Sequence, residues 1–196
     1  MAQKDKERWD AKHSRDEMPC TPIELVTNYA SLAPGRQALD IACGNGRHSR
    51  YLASLGFEVD ALDISSIAIE RLQGLEGIHA KEVDFDTYQL PKEKYDLIIK
   101  TYFLQRKLFS QMIDALTPGG IIILETFLHH TDNEREPSNP AFRLNESELE
   151  AAFDDKCELL HMSEYWSTDY MGYKTMKAAM IAKKKSGGMT DEDFWS

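Results

Sequence analysis

The stretch Leu39-Asp40-Ile41-Ala42-Cys43-Gly44-Asn45-Gly46 constrains this chain more than any other. An apolar run breaks into small residues and two glycines, and a helical pattern follows at once. That is a strand feeding a tight turn and then a helix. Small residues let the backbone come close to a ligand, and the first turn of the helix offers free N–H groups to a carboxylate or phosphate. Many turns look like this, so the setting matters. Strand-sized apolar runs and amphipathic stretches alternate along the whole chain, the pattern of βαβ units on a mainly parallel sheet.

Residues 37–42, 57–62, 78–83, 95–99 and 121–125 read as five successive strands. Residues 157–166 and 174–183 read as two more, joined by a loop containing Gly172. Helices are expected after Thr21, which would act as N-cap with Pro22 first and Glu24 third, and over residues 47–55, with Gly56 as a C-cap. Further helices are expected over 66–73, 104–116 (ended by Pro118-Gly119-Gly120) and 146–153. Residues 127–143 are polar, hold two prolines and form a long loop of the kind that is often functional. The expected fold is α/β: a doubly wound, mainly parallel seven-stranded sheet with a C-terminal antiparallel hairpin. A single domain would cover residues 1–185. Its charged first 20 residues, which carry Trp9, would form an N-terminal lid or extension, and residues 186–196 a flexible acidic tail.

Composition supports one domain with a true core: 196 residues, of which 42% are hydrophobic. No apolar run reaches the roughly 18 residues that span a bilayer. The first ten residues are charged and lack the apolar stretch of a signal peptide, so neither a membrane nor export is expected and the default compartment is the cytoplasm. Three widely spaced cysteines do not make a disulfide framework. His129-His130 reads as a polar loop, and no metal site is expected. A net charge of −10 repels a polyanion at long range, which argues against a nucleic-acid partner. The short basic run at 183–185 precedes glycines and an acidic tail and reads as a solvated end.

Three acids narrow the ligand. Asp40 stands beside the glycine turn, where it would disfavour a pyrophosphate but suit a ligand carrying an ammonium and a sulfonium. The third glycine of the dinucleotide fingerprint is replaced by Ser49. Asp63 ends the second strand about twenty residues on, where an acid takes both hydroxyls of a ribose. It would equally serve as an N-cap for the helix beginning near Ser65. Asp84 follows the third strand and would accept from an adenine amine while Phe85 packs on the base; alternatively Asp84 and Asp86 are solvated loop acids. Asp40, Asp63 and Asp84 each fall at the carboxyl end of a successive strand, the edge where open α/β sheets bind ligands.

These motifs, with Tyr95-Asp96-Leu97-Ile98-Ile99 and Leu116-Thr117-Pro118-Gly119-Gly120, resemble the ordered series of class I S-adenosylmethionine-dependent methyltransferases. The series covers residues 35–125, and the helix and hairpin extend it to about 184. Within the class the chain is most similar to the tellurite-resistance (TehB-like) group. Pro34-Gly35-Arg36, residues 44–53, and Ala141-Phe142-Arg143-Leu144 before Glu148-Leu149 carry that similarity. The resemblance implies S-adenosylmethionine as cofactor, S-adenosylhomocysteine as product and a small-molecule acceptor. Asp40 with Ala42, Cys43, Gly44 and Gly46 would hold the methionine part, and Arg47 would reach its carboxylate. Asp63 and Ile64 would hold the ribose and adenine, Asp84 and Phe85 the adenine. Lys100 and Thr101 would border the methionine part and the methyl. One departure stands out: where the tellurite group has a His-Arg pair after a Glu, in the loop between the last two strands, this chain has Glu164-Tyr165-Trp166-Ser167.

No catalytic residue is assigned from sequence. A methyl already activated by positive sulfur needs chiefly an aligned nucleophile and exclusion of water. Acceptor-site candidates are Trp9, Tyr102, Phe103, Arg106, Phe127, Arg143 and Trp166. Two other functions use the same residues: a nicotinamide-dependent oxidoreductase, and a non-catalytic S-adenosylmethionine-binding regulator. The missing third glycine, Asp40 and the closing hairpin argue against the nicotinamide enzyme. The ribose assignment expects Asp63→Ala to abolish cofactor binding in an intact fold, as calorimetry and circular dichroism would show; wild-type affinity in a folded mutant refutes it.

Overall fold

The computed structural model describes residues 2–15, 18–137, 139–169 and 171–186. Seven strands form one sheet: β1 (Gln37–Ile41), β2 (Glu58–Asp63), β3 (Ile78–Glu82), β4 (Tyr95–Thr101), β5 (Leu116–Phe127), β6 (Cys157–Thr168) and β7 (Lys174–Lys184). Their spatial order is β3-β2-β1-β4-β5-β7-β6. The first five are parallel to their neighbours; β7 runs antiparallel to β5, and β6 antiparallel to β7. This is the expected doubly wound sheet with its closing hairpin. The strand order reverses between β1 and β4, and that switch point opens the crevice at the sheet's carboxyl edge.

Burial on both faces explains the continuous apolar runs. With side chains alternating along a strand, Leu39, Ile41, Ile98, Ile122 and Leu124 point to one face, where Leu108, Met112, Leu149 and Phe153 cover them. Ala38, Leu97, Ile99, Ile121 and Ile123 point to the other, against Val26 and Leu52. The helices are α1 (Ala2–Ser14), α2 (Glu24–Tyr29), α3 (Arg47–Ser54), α4 (Ser66–Glu70), α5 (Leu108–Ala115) and α6 (Glu148–Phe153).

Several local expectations are corrected. Thr21 does not cap α2: the N-cap is Ile23, with no side-chain cap. Its backbone N–H donates instead to His48 Nε2 at 3.4 Å, so a tertiary contact replaces the local one. The helix expected over 104–116 begins only at Leu108 and ends at Ala115. Leu116 already pairs with Tyr95 across the sheet, and Thr117-Pro118-Gly119-Gly120 forms an irregularity inside β5. A Cβ at Gly120 would lie 2.9 Å from Leu116 Cδ2 and 3.0 Å from the Thr117 carbonyl oxygen, so the strand accepts only glycine there. Gly56 follows the C-cap of α3 at φ 81°, the left-handed conformation expected of it. The acidic tail after Ser186 lies outside the described residues.

His48 is a buried polar anchor of α3, only 2% exposed. Burial pushes its pKa down from 6.5 to about 3, with Arg47 adding repulsion. The folded state therefore prefers neutral imidazole. The stability this gives is complete above 6.5 and drains away as pH falls toward 3. Thermal unfolding of the wild type and His48→Gln across that window is expected to show the wild type losing stability faster on acidification; parallel curves would remove His48 from the account.

Candidate active site

The glycine turn after β1 is held by backbone conformation. Ala42, Gly44 and Gly46 have φ of 56°, 55° and 73°, all left-handed. At Gly46 a Cβ would also lie 2.3 Å from Leu72 Cδ2, a fully buried side chain, so α4's follow-on turn packs directly on the loop. Gly46 is the N-cap of α3 and brings no side chain, which leaves the N–H groups of Arg47 and His48 to a ligand, while that of Ser49 turns to Asp40.

Asp63 fastens the loop to the end of β2. Its Oδ2 accepts from Gly44 N and its Oδ1 from Ser65 N, both at 2.9 Å. Burial pushes its pKa up, against those two bonds. The N-cap of α4 is Ser65, whose hydroxyl accepts from Ala68 N, not Asp63. Asp40 is 1% exposed and accepts from Ser49 Oγ at 2.6 Å. Burial raises its pKa to about 7, and Asp63 adds repulsion. Ser49, noticed in the sequence only as a missing glycine, is thus the donor that holds Asp40. Asp84 accepts from Asp86 N at 2.8 Å through its Oδ1. With Ile64, Glu82 and Val83 it lines a cavity of about 270 Å³ closed on its other side by Gln3 and Lys6 of α1. Phe85 is turned into the core, its ring 5.5 Å from that of Phe103.

Helix α1 is the part of this edge that sequence reading left as a lid or extension. It carries no apolar stripe. Its side chains are instead spent on the carboxyl edge of β2 and β3: Lys6 pairs with Glu82 at 2.8 Å, and Asp10 accepts from Ser65 Oγ at 2.6 Å. His13 is 2% exposed and lies over Gly44, where a Cβ would come within 3.2 Å of its Cε1. Its Nδ1 is buried with no hydrogen-bond partner, and burial pulls its pKa down. The i,i+4 spacing of Lys6 with Asp10 and of Trp9 with His13 was the available signal.

On the far side of the switch point, Lys100 is fully buried with its amine 4.8 Å from the Phe109 ring centroid and 5.8 Å from that of Phe103. The amine has no hydrogen-bond partner, and burial lowers its pKa to about 7. Thr101 closes β4 opposite Glu125. The guanidinium of Arg47 lies 5.5 Å over the Tyr102 ring. Tyr102 has φ 56° and joins a cluster that sequence reading missed. Its hydroxyl donates to Glu125; Tyr165 donates to the other oxygen of Glu125 at 2.7 Å; Lys177 Nζ donates to Tyr102 Oη at 2.9 Å. Glu125 and Lys177 sit inside β5 and β7, where the apolar pattern of the strands gives no sign of them.

The other acceptor candidates are placed differently. Arg106 pairs with Glu148 and donates to the Ala141 and Arg143 carbonyls, each at 2.9 Å, pinning the long loop to α6. Arg143 pairs with Glu136 within that loop. Phe127 packs on Tyr102 with ring centroids 5.5 Å apart. Trp166 is exposed, its ring edge-on to His130 and covered by Lys174. Trp9 lies under Arg8 and Lys12 on α1. Residues 164–167 belong to β6 itself, not to the loop between the last two strands, because β6 pairs with β7 as far as Thr168. Among the described residues no group of three metal-ligating side chains occurs, and Cys20, Cys43 and Cys157 are free thiols.

A left-handed glycine turn, acids ending the first strands and an antiparallel hairpin closing a parallel sheet together define the S-adenosylmethionine-dependent methyltransferase fold. A solved structure of TehB from Haemophilus influenzae superimposes with a TM-score of 0.70 and 25% identity, over 82% of this chain and 61% of that one. The chain belongs to the family described as tellurite resistance protein TehB, whose model matches residues 2–180. In sequence it is 28% identical over 177 residues to the "Probable S-adenosyl-L-methionine-dependent methyltransferase TehB" of H. influenzae, covering 82% of this chain. It is 29% identical over 117 residues, 54% of this chain, to phosphoethanolamine N-methyltransferase 2 of Caenorhabditis elegans. The chain spans 61% and 27% of the lengths of these two relatives.

Asp63 supports the fold as well as the site, so Asp63→Ala is not the clean binding mutant that sequence suggested. It strands the N–H groups of Gly44 and Ser65, at about 1–3 kcal/mol each where burial is complete. A lowered unfolding midpoint in the ligand-free protein is the expected result; an unchanged midpoint means that water replaces the carboxylate.

Proposed function

We propose that this protein transfers a methyl group from S-adenosylmethionine to a small-molecule acceptor. The observation that carries the reading is the meeting, at one sheet edge, of the left-handed glycine turn with Asp63, Ile64 and Asp84. The residues present fit the cofactor. Each oxygen of Asp63 uses one lone pair on the backbone and keeps another for a ribose hydroxyl. The cavity beside Ile64 and Asp84 takes the adenine, with Asp84 accepting from its amine. Phe85 backs the core there and offers no free ring face. The N–H groups at the start of α3 hold the methionine carboxylate together with Arg47; those of Gly44 and Gly46 already donate to Asp63 and to the Cys43 carbonyl and shape the turn. Asp40 and Cys43 lie beneath, where the buried carboxylate attracts an ammonium. Lys100 and Thr101 border this half through their backbone, since the Lys100 amine is turned under aromatic rings.

When bound, the cofactor supplies a methyl group already activated by a positively charged sulfur. The chain's own task is to align the acceptor and keep water out. Helix α1 does the second. His13 covers Gly44, and Asp10 and Lys6 hold the helix on α4 and β3, so α1 moves aside for entry and closes afterwards. The acceptor approaches from the β4–β5 side, past Tyr102 and Phe103. No helix among the described residues is long and apolar enough to cross a membrane. Unpaired thiols fit a cytoplasmic compartment.

Calorimetry on the full chain is expected to give one S-adenosylhomocysteine site and no heat with NAD. Asp84→Ala, which leaves the core intact, weakens that site roughly tenfold, about 1.4 kcal/mol. Unaltered affinity in this mutant moves the adenine elsewhere, and heat with NAD alone restores the oxidoreductase.

A further inference from the structure

Glu125 is 4% exposed, and its partners are two tyrosine hydroxyls and an ammonium. Stability alone does not call for this cluster: well-packed apolar groups of the same volume commonly do as well or better than a buried ion pair. Its backbone is also strained. Tyr102 is a bulky residue held at φ 56°, a conformation that costs on the order of 1–3 kcal/mol and persists where the surroundings over-determine it. Here the Tyr102 N–H donates to the Glu125 carbonyl oxygen at 2.9 Å, extending the β4–β5 ladder just far enough to fix the side chain. The ring lies beneath Arg47, the first residue after the glycine turn, on the side assigned to the methionine half.

Counting lone pairs gives the cluster a direction. Tyr102 Oη donates its proton to Glu125 and accepts one from Lys177, so one lone pair remains. We propose that Tyr102 relays the acceptor's proton to Glu125, and that the acceptors of this site are therefore nucleophiles carrying an ionisable proton, such as thiols and phenols. The inference rests on the methyl-transfer reading above. As the acceptor's electron pair forms the bond to the methyl carbon, the pair of the old carbon–sulfur bond stays on sulfur. The acceptor's proton passes to Tyr102 Oη while the proton of Tyr102 passes to Glu125. Tyr102 ends neutral and Glu125 ends as a carboxylic acid, which returns its proton to water after release. Tyr165, bound to the other oxygen of Glu125, and Lys177 are positioning residues.

The charged and titratable groups facing the pair are Arg47, Tyr165 and Lys177, with Asp169 acting on Lys177 and Glu24 on Tyr165. Burial and the Glu125 carboxylate push both tyrosine pKa values upward, so neither hydroxyl is itself a base, as a relay requires.

The test measures S-adenosylhomocysteine release at one pH from a series of thiols and a series of phenols graded in acidity. It compares wild type, Tyr102→Phe, Glu125→Gln and Tyr165→Phe. Tyr102→Phe and Glu125→Gln are expected to lose about a hundredfold in kcat on the least acidic acceptors and only a few-fold on those already ionised. Tyr165→Phe shows the same pattern more weakly. Two readouts independent of turnover accompany it: S-adenosylhomocysteine affinity unchanged in all three, and, in Glu125→Gln, tyrosine ionisation absorbance beginning at lower pH than in wild type. Equal losses across both series overturn the relay. So does turnover confined to acceptors without an ionisable proton, or none on either series by a protein that binds S-adenosylhomocysteine. Failure of the wild type to bind S-adenosylhomocysteine strikes the methyl-transfer reading itself, and the relay with it.

Discussion

One carboxylate ties the functional edge together. Asp63 ends β2, yet its two oxygens reach Gly44 in the turn after β1 and Ser65 at the start of α4. One bond is local and shapes the entry to α4; the other crosses to the neighbouring strand's turn, so a single side chain sets both loops at 2.9 Å. Both bonds are largely shielded from water, where a hydrogen bond is stronger than at the surface. The arrangement has an electrostatic cost, since Asp40 lies close enough for the two carboxylates to raise each other's charging energy. A cationic ligand would relieve that cost, so under the proposed function the geometry that closes the loop also favours the cofactor's positive groups.

Charge is divided across the switch point. Asp40, Asp63 and Asp84 belong to the β1–β3 half, while Arg47 and Lys177 stand over the β4–β5 half with the buried Glu125 between two tyrosines. On the proposed reading, a cofactor with a cationic centre spans the two halves, and the acceptor meets the tyrosine–glutamate cluster. The arginines that looked available in sequence are engaged elsewhere: Arg106 holds the long loop against α6 through Glu148, and Arg143 pairs with Glu136 inside the loop.

Some motif residues serve the fold alone. Asp96, in the apolar run of β4, accepts from Gln37 N at 3.0 Å and from Thr117 Oγ1 at 2.8 Å, so it aligns the amino ends of β1, β4 and β5. A Cβ on Gly35 would lie 2.3 Å from its Oδ2. The resemblance in Pro34-Gly35-Arg36 and Thr117-Pro118-Gly119-Gly120 is therefore about register at the far end of the sheet, away from any ligand.

The seven strands, their closing hairpin and the glycine turn were legible in the sequence because each depends on short-range pattern: apolar alternation, chain reversal and the tolerance of glycine for positive φ. So was the row of acids at the strand ends, since a parallel sheet brings those ends to one edge. What depended on tertiary structure was which side chains share a space. Helix α1 has no apolar stripe to announce it, and it forms on polar contacts to α4 and β3. His13 reaches Gly44 across the chain, and Glu125, Tyr165 and Lys177 meet Tyr102 only because β7 inserts between β5 and β6. Pairing across a sheet joins residues tens of positions apart, and nothing in local periodicity encodes which ones.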